Sequence, residues 1–298
     1  MNYGHFDELN KEYVITRPDT PSAWANYLGD PEYGAIISNN AGGYSFVKSG
    51  ANGRVIRYRF NGVGTDTPGR YVYLRDLETN DYWSASWAPV CKPLDQFKSE
   101  CRHGTAYTVI TSEYKGVKSE VTYYVPQGAT YEVWAARVTN TSDKPRKLAV
   151  TGVCEFVNDP NYEQDQVNLQ YTLFITRTYF KGNYIHQMQN EIYNPNSGRF
   201  LGLAGAKVDA YCGDRDSFVG TYRSYSNPKG IEEGLKGDEF FTNFIEDRNK
   251  ALGDEDVFHI TKDCLFAIAD IAEGTQGIRR QRIEAGQDIT LHTKLQAV

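Results

Sequence analysis

The sequence predicts an all-β protein, built as a large antiparallel β-sandwich with little helix. Apolar and polar residues alternate with a period of two along most of the chain, as in strands that bury one face. Turn-forming clusters separate these segments at the short spacing typical of a sandwich. The gaps are too short for the crossover helices that parallel α/β folds need. Because the 298 residues show no internal repeat and no low-complexity linker, we interpret residues 1–298 as one domain.

Strands are predicted in chain order wherever this alternation is bounded by turn signals such as NNA, SGANG and NTSDKP. One face of the segment 116–126 would carry Val117, Ser119, Val121, Tyr123 and Val125. The predicted strands of the first half are YGAIIS (33–38), GGYSFVK (42–48), RVIRYRF (54–60), RYVYLRDL (70–77), DYWSASWAPV (81–90), TAYTVITSEY (105–114), GVKSEVTYYVP (116–126), TYEVWAARVTN (130–140) and KLAVTGVCEFV (147–157).

The second half continues the pattern with less regular spacing. The triplet DRD at 214–216 is interpreted as a salt-linked turn before a strand SFVGTYR (217–223), and IRRQRIEAGQDITLHTKL predicts two strands joined by the EAGQD turn. Helical periodicity is thin, with a turn or two expected in GIEEGLKGDEFFTNF (230–244). The other predicted strands are QYTLFITRTYF (170–180), NYIHQMQNEI (183–192), RFLGLAGAKVDAY (199–211) and a strand within HITKDCLFAIADI (259–271).

Charge and composition exclude some classes of partner. The formal net charge is −6, and Lys and Arg are scattered, so the basic patch that nucleic-acid binding requires is missing. The most basic stretch, GRVIRYRF at 53–60, alternates Arg57 and Arg59 with apolar residues. This pattern favours a half-buried strand with its charged face in solvent.

Targeting signals and cysteine usage predict a cytoplasmic protein. The opening MNYGHFDELNKEYVIT lacks the basic region and apolar core of a signal peptide, and no run approaches the roughly 18 apolar residues of a membrane span. The chain has 5 cysteines, without CxxC spacing. An odd number without that spacing favours reduced, buried thiols over a disulfide framework.

A search for catalytic groups finds no self-sufficient active site, so no catalytic residue, metal ligand or cofactor is predicted. The sequence contains no G-x-S-x-G, no HExxH, no dinucleotide fingerprint and no phosphate loop. Cys101 and His103 would share a strand face, which is more typical of a structural pair than of a catalytic dyad. Glu155 with Asp159 or Asp214 could in principle form the carboxylate pair of a hydrolase, but nothing in the spacing shows that they converge.

One segment interrupts the strand pattern with neutral hydrogen-bonding groups. EFVNDPNYEQDQVNLQYT (155–172) contains six carboxamides, together with Tyr162 and Tyr171. Carboxamides donate and accept hydrogen bonds without proton chemistry, which suits the reading of sugar hydroxyls beside aromatic platforms. An exposed polar loop that binds nothing has the same composition, and the residues alone favour that interpretation.

Several specific blocks follow one another along most of the chain. They are YGHFD (3–7), EYVITRPDTP (12–21), SNNAGGYSF (38–46), RVIRYRFN (54–61), GRYVYLRD (69–76), DYWSASWAPV (81–90), CRHGTAYT (101–108), EVTYYVP (120–126), VTNTSD (138–143), DQVNLQYT (165–172) and DRDSFVGTYR (214–223). In this order they resemble the opening of the family-94 glycoside phosphorylases, which include the cellobiose, cellobionic acid and chitobiose phosphorylases.

The resemblance implies a supersandwich-like N-terminal domain that precedes a helical linker and a catalytic (α/α)6 barrel. The barrel would supply the general acid, and inorganic phosphate would be the nucleophile and co-substrate. On this view the chain ends near Val298 before the barrel, and is inactive alone. The family also forms homodimers, in which a loop of the sandwich lines the acceptor-sugar subsite in the partner's barrel. The motif match places substrate contacts on Asp165, Gln166, Asn168 and Gln170, with Asp165 and Gln166 either shaping the loop or touching the sugar.

The leading hypothesis is therefore the carbohydrate-recognition and dimerisation domain of an inverting β-glycoside phosphorylase. The alternative is an independent carbohydrate-binding β-sandwich without a catalytic partner. A stand-alone hydrolase is the third hypothesis. The segment VNDPNYE (157–163) departs from the cellobiose-type pattern, which leaves glucose, gluconate and an amino sugar as possible acceptors.

Overall fold

The computed structural model of the protein describes residues 2–58, 68–167, 176–181, 184–189, 198–204, 207–235, 265–268, 270–271, 279–283 and 288–297. Almost all of the regular structure in these ranges is antiparallel β-sheet. The helices found there are short: α1 (Tyr162–Val167), α2 (Arg215–Val219) and α3 (Lys229–Glu232).

The larger sheet has ten strands, and every neighbouring pair is antiparallel. The strands come from both ends of the described chain, so the centre of the sheet joins segments far apart in sequence. In order across the sheet they are β1 (Gly4–Asp7), β2 (Glu12–Ile15), β8 (Phe97–His103), β9 (Tyr107–Tyr114), β10 (Val117–Tyr124), β11 (Tyr131–Asn140), β20 (Asp288–Ala297), β15 (Gly198–Ala204), β14 (Tyr184–Gln189) and β13 (Thr176–Lys181).

Three smaller sheets complete the architecture. A five-stranded sheet consists of β17 (Leu265–Ile268), β12 (Arg146–Glu155), β6 (Tyr71–Asp76) and β7 (Tyr82–Ser84), with β19 (Arg279–Ile283) also paired to β12. The three-stranded sheet has the order β3 (Ala25–Gly29), β4 (Tyr33–Ser38) and β5 (Gly43–Val47), and the two-stranded sheet pairs β16 (Lys207–Val208) with β18 (Asp270–Ile271).

The sheets share one apolar core. Ile110 and Val121 of the ten-stranded sheet, Leu148 of the five-stranded sheet and Ile37 of the three-stranded sheet belong to a single cluster of buried residues. In β10, Val117, Ser119, Val121 and Tyr123 are buried while the residues between them are more exposed, as the alternation predicts. The prediction of a large antiparallel β-sandwich is confirmed.

The predicted strand at 54–60 is wrong in the part that the structure describes. Residues 54–58 make only isolated bridges, while residues 59–60 lie outside the described ranges. The backbone alternates between two partners: Val55 N–H donates to Ser45 O at 2.9 Å and Arg57 N–H donates to Glu155 O at 2.8 Å. The segment lies between β5 and the end of β12, and its backbone hydrogen bonds are divided between these two neighbours. Both neighbours cover it, and Arg57 is buried rather than in solvent.

Two further predictions differ from the structure in the second half of the chain. The strand predicted at 217–223 begins inside helix α2, because the Asp214 carboxylate accepts the backbone N–H of Ser217 at 2.8 Å and caps the helix. The polar segment 155–172, expected as a loop, contains helix α1. The two closing strands β19 and β20 exist as predicted, but they pair with different sheets.

A buried ion pair links three of the sheets. The Arg70 guanidinium, next to β6, binds the Glu132 carboxylate of β11 through Nε at 2.5 Å and Nη2 at 3.0 Å. The same guanidinium donates to the carbonyl oxygens of Ile36 and Tyr44 in the three-stranded sheet, at 3.1 and 3.0 Å. Trp134 Nε1 donates to Glu132 at 2.7 Å. The charges are thus fully partnered in a site with almost no access to water.

Replacing Glu132 by Gln should lower the free energy of unfolding by about 3–5 kcal/mol, because Arg70 would be left as a buried charge without its counterion. Urea unfolding followed by tryptophan fluorescence measures the change. Glu113→Gln is the matched control, since Glu113 pairs with Lys98 at 3.5 Å on the surface and should cost less than about 1 kcal/mol. Equal losses in the two variants would contradict this account of Arg70.

Candidate functional site

The carboxamide-rich segment leaves the end of β12 and folds back onto residues 51–54. Tyr162 N–H donates to Ala51 O at 2.7 Å, and Arg54 N–H donates to Pro160 O at 3.0 Å. The Asn161 side chain donates to the Asn52 side chain at 2.7 Å. These contacts fix the start of the segment against the body of the domain.

Helix α1 begins at a cap that one of the carboxamides supplies. Asn161 Oδ1 accepts the backbone N–H of Gln164 at 2.9 Å, which satisfies one of the unpaired donors of the first turn. Asn161 is therefore engaged in building the helix. Gln164 and Gln166 lie on the exposed side of α1, where their side chains face solvent.

A buried, bidentate ion pair anchors helix α1 to the domain. Asp165 is the inward-facing residue of α1, with 1% of its surface exposed. Its carboxylate accepts from Arg57 Nε at 3.0 Å and from Arg57 Nη2 at 2.9 Å. Asp165 Oδ1 also accepts the backbone N–H of Asn158 at 2.8 Å. A bidentate guanidinium–carboxylate pair fixes orientation as well as distance, so the path of residues 158–165 is tightly specified.

Arg57 reaches a second carboxylate at its other nitrogen. Nη1 donates to Glu155 Oε1 at 2.5 Å, and Glu155 is 1% exposed. The other Glu155 oxygen, Oε2, accepts from the Tyr225 hydroxyl and lies 3.4 Å from Arg215 Nε of α2. Glu155 therefore connects the segment that carries α1 to the segment that carries α2. We call the five residues Arg57, Glu155, Asp165, Arg215 and Tyr225 the buried charge cluster.

Electrostatics in the buried charge cluster favour a charged Arg57 and a neutral Tyr225. Burial on its own would lower the pKa of Arg57, but the neighbouring charges and hydrogen bonds of Glu155 and Asp165 outweigh that effect and raise the pKa. Burial, followed by the charge of Glu155, raises the pKa of Tyr225 well above its ordinary value. The phenol therefore stays protonated and donates to Glu155 Oε2.

An aromatic–cation stack borders the same segment. The Arg54 guanidinium carbon lies 3.6 Å from the ring centroid of Tyr44 and 4.6 Å from that of Tyr162. Arg54 is thus held between a ring of the three-stranded sheet and the first residue of α1. Cation–π contacts of this kind stabilise both rings. Tyr162, proposed from sequence as a platform for sugar, packs on Arg54, while Tyr171 lies outside the described residues.

The four predicted contact residues fall into three groups. The Asp165 carboxylate points inward, in the geometry of a residue that shapes the segment. Gln166 is exposed on α1, and its Nε2 lies 3.5 Å from Asp165 Oδ2. Asn168 and Gln170 lie outside the described residues. Contact of any of the four with a sugar stays a prediction.

The geometry does not favour the hydrolase hypothesis. Glu155 faces Arg57, Tyr225 and Arg215 inside the protein and cannot reach a glycosidic bond. Asp214 accepts the backbone N–H and the hydroxyl of Ser217 at the start of α2. Asp159 accepts the backbone N–H of Asn161 at 2.8 Å. Each carboxylate thus has a local structural partner.

The Cys101–His103 pair has structural partners as well. Cys101 Sγ lies 3.8 Å from the His103 ring nitrogens, and burial raises the pKa of the thiol and lowers that of the imidazole. His103 Nε2 lies 3.0 Å from Trp24 O, and Nδ1 lies 3.0 Å from the Thr108 hydroxyl. A neutral thiol beside a fully bonded imidazole is not an activated nucleophile. Within the described ranges, no three His, Cys, Asp or Glu side chains form a metal-binding group.

Sequence reasoning missed Arg57, Glu155 and Tyr225 as determinants of the site. The alternation at 54–60 suggested that Arg57 faces solvent, although both sides of that segment are covered. A usable signal was present in KLAVTGVCEFV, where Glu155 follows a run of apolar residues. A carboxylate in a fully buried strand needs a buried cation, and that cation had to come from elsewhere in the chain.

Comparison with known proteins identifies the family. Residues 11–243 match the supersandwich domain of glycosyl hydrolase 94, so the chain belongs to this family, and the resemblance inferred from the motifs is confirmed. The chain is 42% identical over 238 residues to an N,N'-diacetylchitobiose phosphorylase of Vibrio furnissii, covering 78% of this chain and 29% of that protein. It is 26% identical over 242 residues to a solabiose phosphorylase of Paenibacillus borealis, covering 78% of this chain and 30% of that protein.

A shorter match, 39% identical over 84 residues, links the chain to a cellobionic acid phosphorylase of Neurospora crassa, covering 28% of this chain and 10% of that protein. The chain thus spans less than a third of the length of the relatives that it matches. In the described part of the chain, no helix is long and apolar enough to cross a membrane.

Asp165→Asn should loosen the segment 158–165 without unfolding the domain. The substitution removes one of the two carboxylate charges paired with Arg57 and weakens the acceptor for the Asn158 N–H. Local opening should therefore become easier by about 1–3 kcal/mol. Amide hydrogen exchange of residues 158–165 measures this effect. Gln166→Ala, at the neighbouring exposed position, is the control and should leave the same amides protected.

Unchanged protection in Asp165→Asn would refute the anchoring role of Asp165. Faster exchange spread evenly over β9, β10 and β11 would instead indicate global destabilisation, and would also contradict a local anchor.

Proposed function

We propose that this chain is the N-terminal carbohydrate-recognition and dimerisation domain of an inverting β-glycoside phosphorylase. Such an enzyme cleaves a cellobiose-type β-linked disaccharide with phosphate to release an α-sugar 1-phosphate. The names of the relatives, which act on N,N'-diacetylchitobiose and solabiose, support a disaccharide as the substrate class. The domain would contribute recognition of the acceptor sugar rather than the bond-breaking step.

The observation that supports the proposal is the buried Arg57–Asp165 ion pair, which holds α1 so that its carboxamide side chains face outward. Arg57 fixes Asp165 through two hydrogen bonds, and α1 presents Gln164 and Gln166 to solvent immediately before the segment of Asn168 and Gln170. Preorganised polar groups bind with less loss of conformational entropy. They also hold their geometry better when a supporting layer locks them. Neutral amides suit sugar hydroxyls, which carry no charge.

The chemistry itself would belong to an (α/α)6 barrel. In the described residues, the carboxylates considered as catalytic candidates are engaged in ion pairs and caps. With inorganic phosphate as nucleophile, a single carboxylic acid suffices, and we assign it to the barrel. We propose no cofactor, since inversion at the anomeric carbon needs neither redox nor metal chemistry from this domain.

We further propose that the enzyme is a cytoplasmic homodimer. In this arrangement the segment after α1 of one subunit reaches the barrel of its partner and completes the acceptor subsite. Four cysteines in the described residues are free thiols, which suits a reducing compartment. The acceptor could be glucose, gluconate or an amino sugar, and the departure at 157–163 from the cellobiose-type pattern bears on that choice.

In the enzyme that contains the barrel, Asn168→Ala and Gln170→Ala should each raise the KM for the acceptor sugar by about 5- to 100-fold. Each substitution removes hydrogen bonds to a hydroxyl in a desolvated site, at a cost of about 1–3 kcal/mol. The KM for the sugar 1-phosphate should stay unchanged. Steady-state kinetics in the synthetic direction, with each acceptor in turn, give both values and identify the acceptor.

The matched control is Gln127→Ala, an exposed carboxamide at the turn between β10 and β11. It should leave both constants unchanged. If Asn168→Ala and Gln170→Ala behave like the control, the segment does not read the acceptor and the proposed function is wrong in that respect.

The purified 298-residue chain should release no α-glucose 1-phosphate from cellobiose and phosphate, because the proton donor is assigned to the barrel. A coupled phosphoglucomutase assay measures this product. Titration calorimetry with cellobiose and longer β-glucans separates the alternative, an independent carbohydrate-binding sandwich. Release of the sugar phosphate would contradict the assignment of the proton donor to the barrel. Tight binding of β-glucans that persists in Asn168→Ala would favour an independent carbohydrate-binding domain.

A further inference from the structure

The three-stranded sheet β3–β4–β5 has one face in the core and one face toward solvent. Leu28, Ala35, Ile37 and Ser45 point inward and are buried. The opposite face carries mainly apolar and aromatic residues, although it lies outside the main core. We call the outward residues Tyr27, Gly34, Ile36, Tyr44 and Phe46 the outer aromatic face.

A groove of about 290 Å³ lies on the outer aromatic face. Tyr27 forms one wall with 73% of its surface exposed, and the Phe46 ring lies over Gly34. A Cβ atom at Gly34 would approach Phe46 Cζ to 2.5 Å, so the glycine is what allows the ring to lie against the sheet. The Tyr27 and Phe46 rings both line the groove and give two apolar surfaces for a small ligand.

The charged groups at the rim of the groove already have ionic or hydrogen-bonding partners. Lys48 Nζ lies 3.5 Å from Glu32 Oε2 on the surface. The Asp30 carboxylate accepts the backbone N–H groups of Glu32, Tyr33 and Gly128. Asp30 has no cationic partner among these contacts and keeps its negative charge, stabilised by the three N–H groups. This charge disfavours an anionic ligand and is compatible with a neutral one. The Lys48 ammonium and the Glu32 carboxylate remain exposed enough to hydrogen-bond hydroxyl groups.

We propose that this groove is a second sugar-binding site, which takes one pyranose ring of a neutral oligosaccharide. A pyranose combines an apolar C–H face, suited to Tyr27 and Phe46, with uncharged hydroxyls at its edge, suited to Lys48 and Glu32. The volume is close to the lower limit of about 300 Å³ for small-molecule sites, which fits a single ring better than a longer ligand. Binding here needs no residue of the segment 165–170.

The groove also connects physically to the acceptor-facing segment. Phe46 and Tyr44 have ring centroids 6.0 Å apart, and Tyr44 and Tyr162 lie on either side of Arg54. A continuous row of packed rings therefore runs from the groove to the first residue of α1. A sugar chain bound in the groove would therefore lie on a surface that continues to the start of α1.

The test is a titration of the ¹⁵N-labelled chain with cellobiose and with N,N'-diacetylchitobiose, followed by amide chemical shifts. We expect saturable shifts at Gly29, Gly34 and Lys48. Tyr27→Ala should weaken this binding at least about fivefold, since it removes one aromatic wall. Tyr222→Ala is the matched control, because Tyr222 is a fully exposed tyrosine outside the groove, at 103% relative exposure, and should bind like the wild type.

Absence of saturable shifts with both sugars would overturn the proposal, as would equal binding by Tyr27→Ala and the wild type. The double substitution Asn168→Ala/Gln170→Ala separates the two hypotheses. It should leave the shifts at Gly34 intact, whether or not it affects turnover of the enzyme. Loss of the Gly34 shifts in that variant would show that the sugar binds at the segment 165–170 instead, and would also overturn the proposal.

Discussion

The shape of the candidate site depends on one guanidinium, that of Arg57, held between Glu155 and Asp165. All three groups are removed from water, so each charge relies on the others for the stabilisation that hydration would otherwise give. Arg57 binds Glu155 on the side of the sheet and Asp165 on the side of helix α1. The helix is thus attached to the domain by electrostatics, while its exposed face stays free to carry polar side chains.

A second buried ion pair, Arg70 with Glu132, links separate sheets of the core. Its guanidinium also bonds to carbonyl oxygens of the three-stranded sheet, where β-strands from separate sheets meet without a common ladder. Ile36 and Tyr44 are partners in the β4–β5 ladder, so the guanidinium connects that ladder to the Glu132 carboxylate of β11. Buried arginine–carboxylate pairs therefore link separate parts of the sandwich. Arg57 does so at the candidate site and Arg70 does so in the core.

The sequence predicts most strands of this domain, but it does not predict which charged residues pair in the interior. The alternation in 105–140 predicted β9, β10 and β11 closely, because one buried face imposes a strict period on a strand. The same rule failed at 54–57, where neighbours on two sides bury residues of both parities. The segment 155–167 was recognised as polar and unlike a strand, but its pairing with Arg57 joins residues 98 and 108 positions apart. No local pattern encodes such a contact, and only the family resemblance pointed to Asp165.

The sequence separation between Arg57 and its two carboxylate partners also affects how the domain folds. Loop-closure entropy opposes any contact between residues a hundred positions apart until intervening structure has brought them near each other. Pairing of β6 with β12 shortens the loop that the Arg57 bridge must close, so we expect the bridge to form after that pairing. The bond from Tyr225 to Glu155 spans a further 70 residues. The surface that we assign to sugar recognition would be among the last parts of the domain to mature during folding.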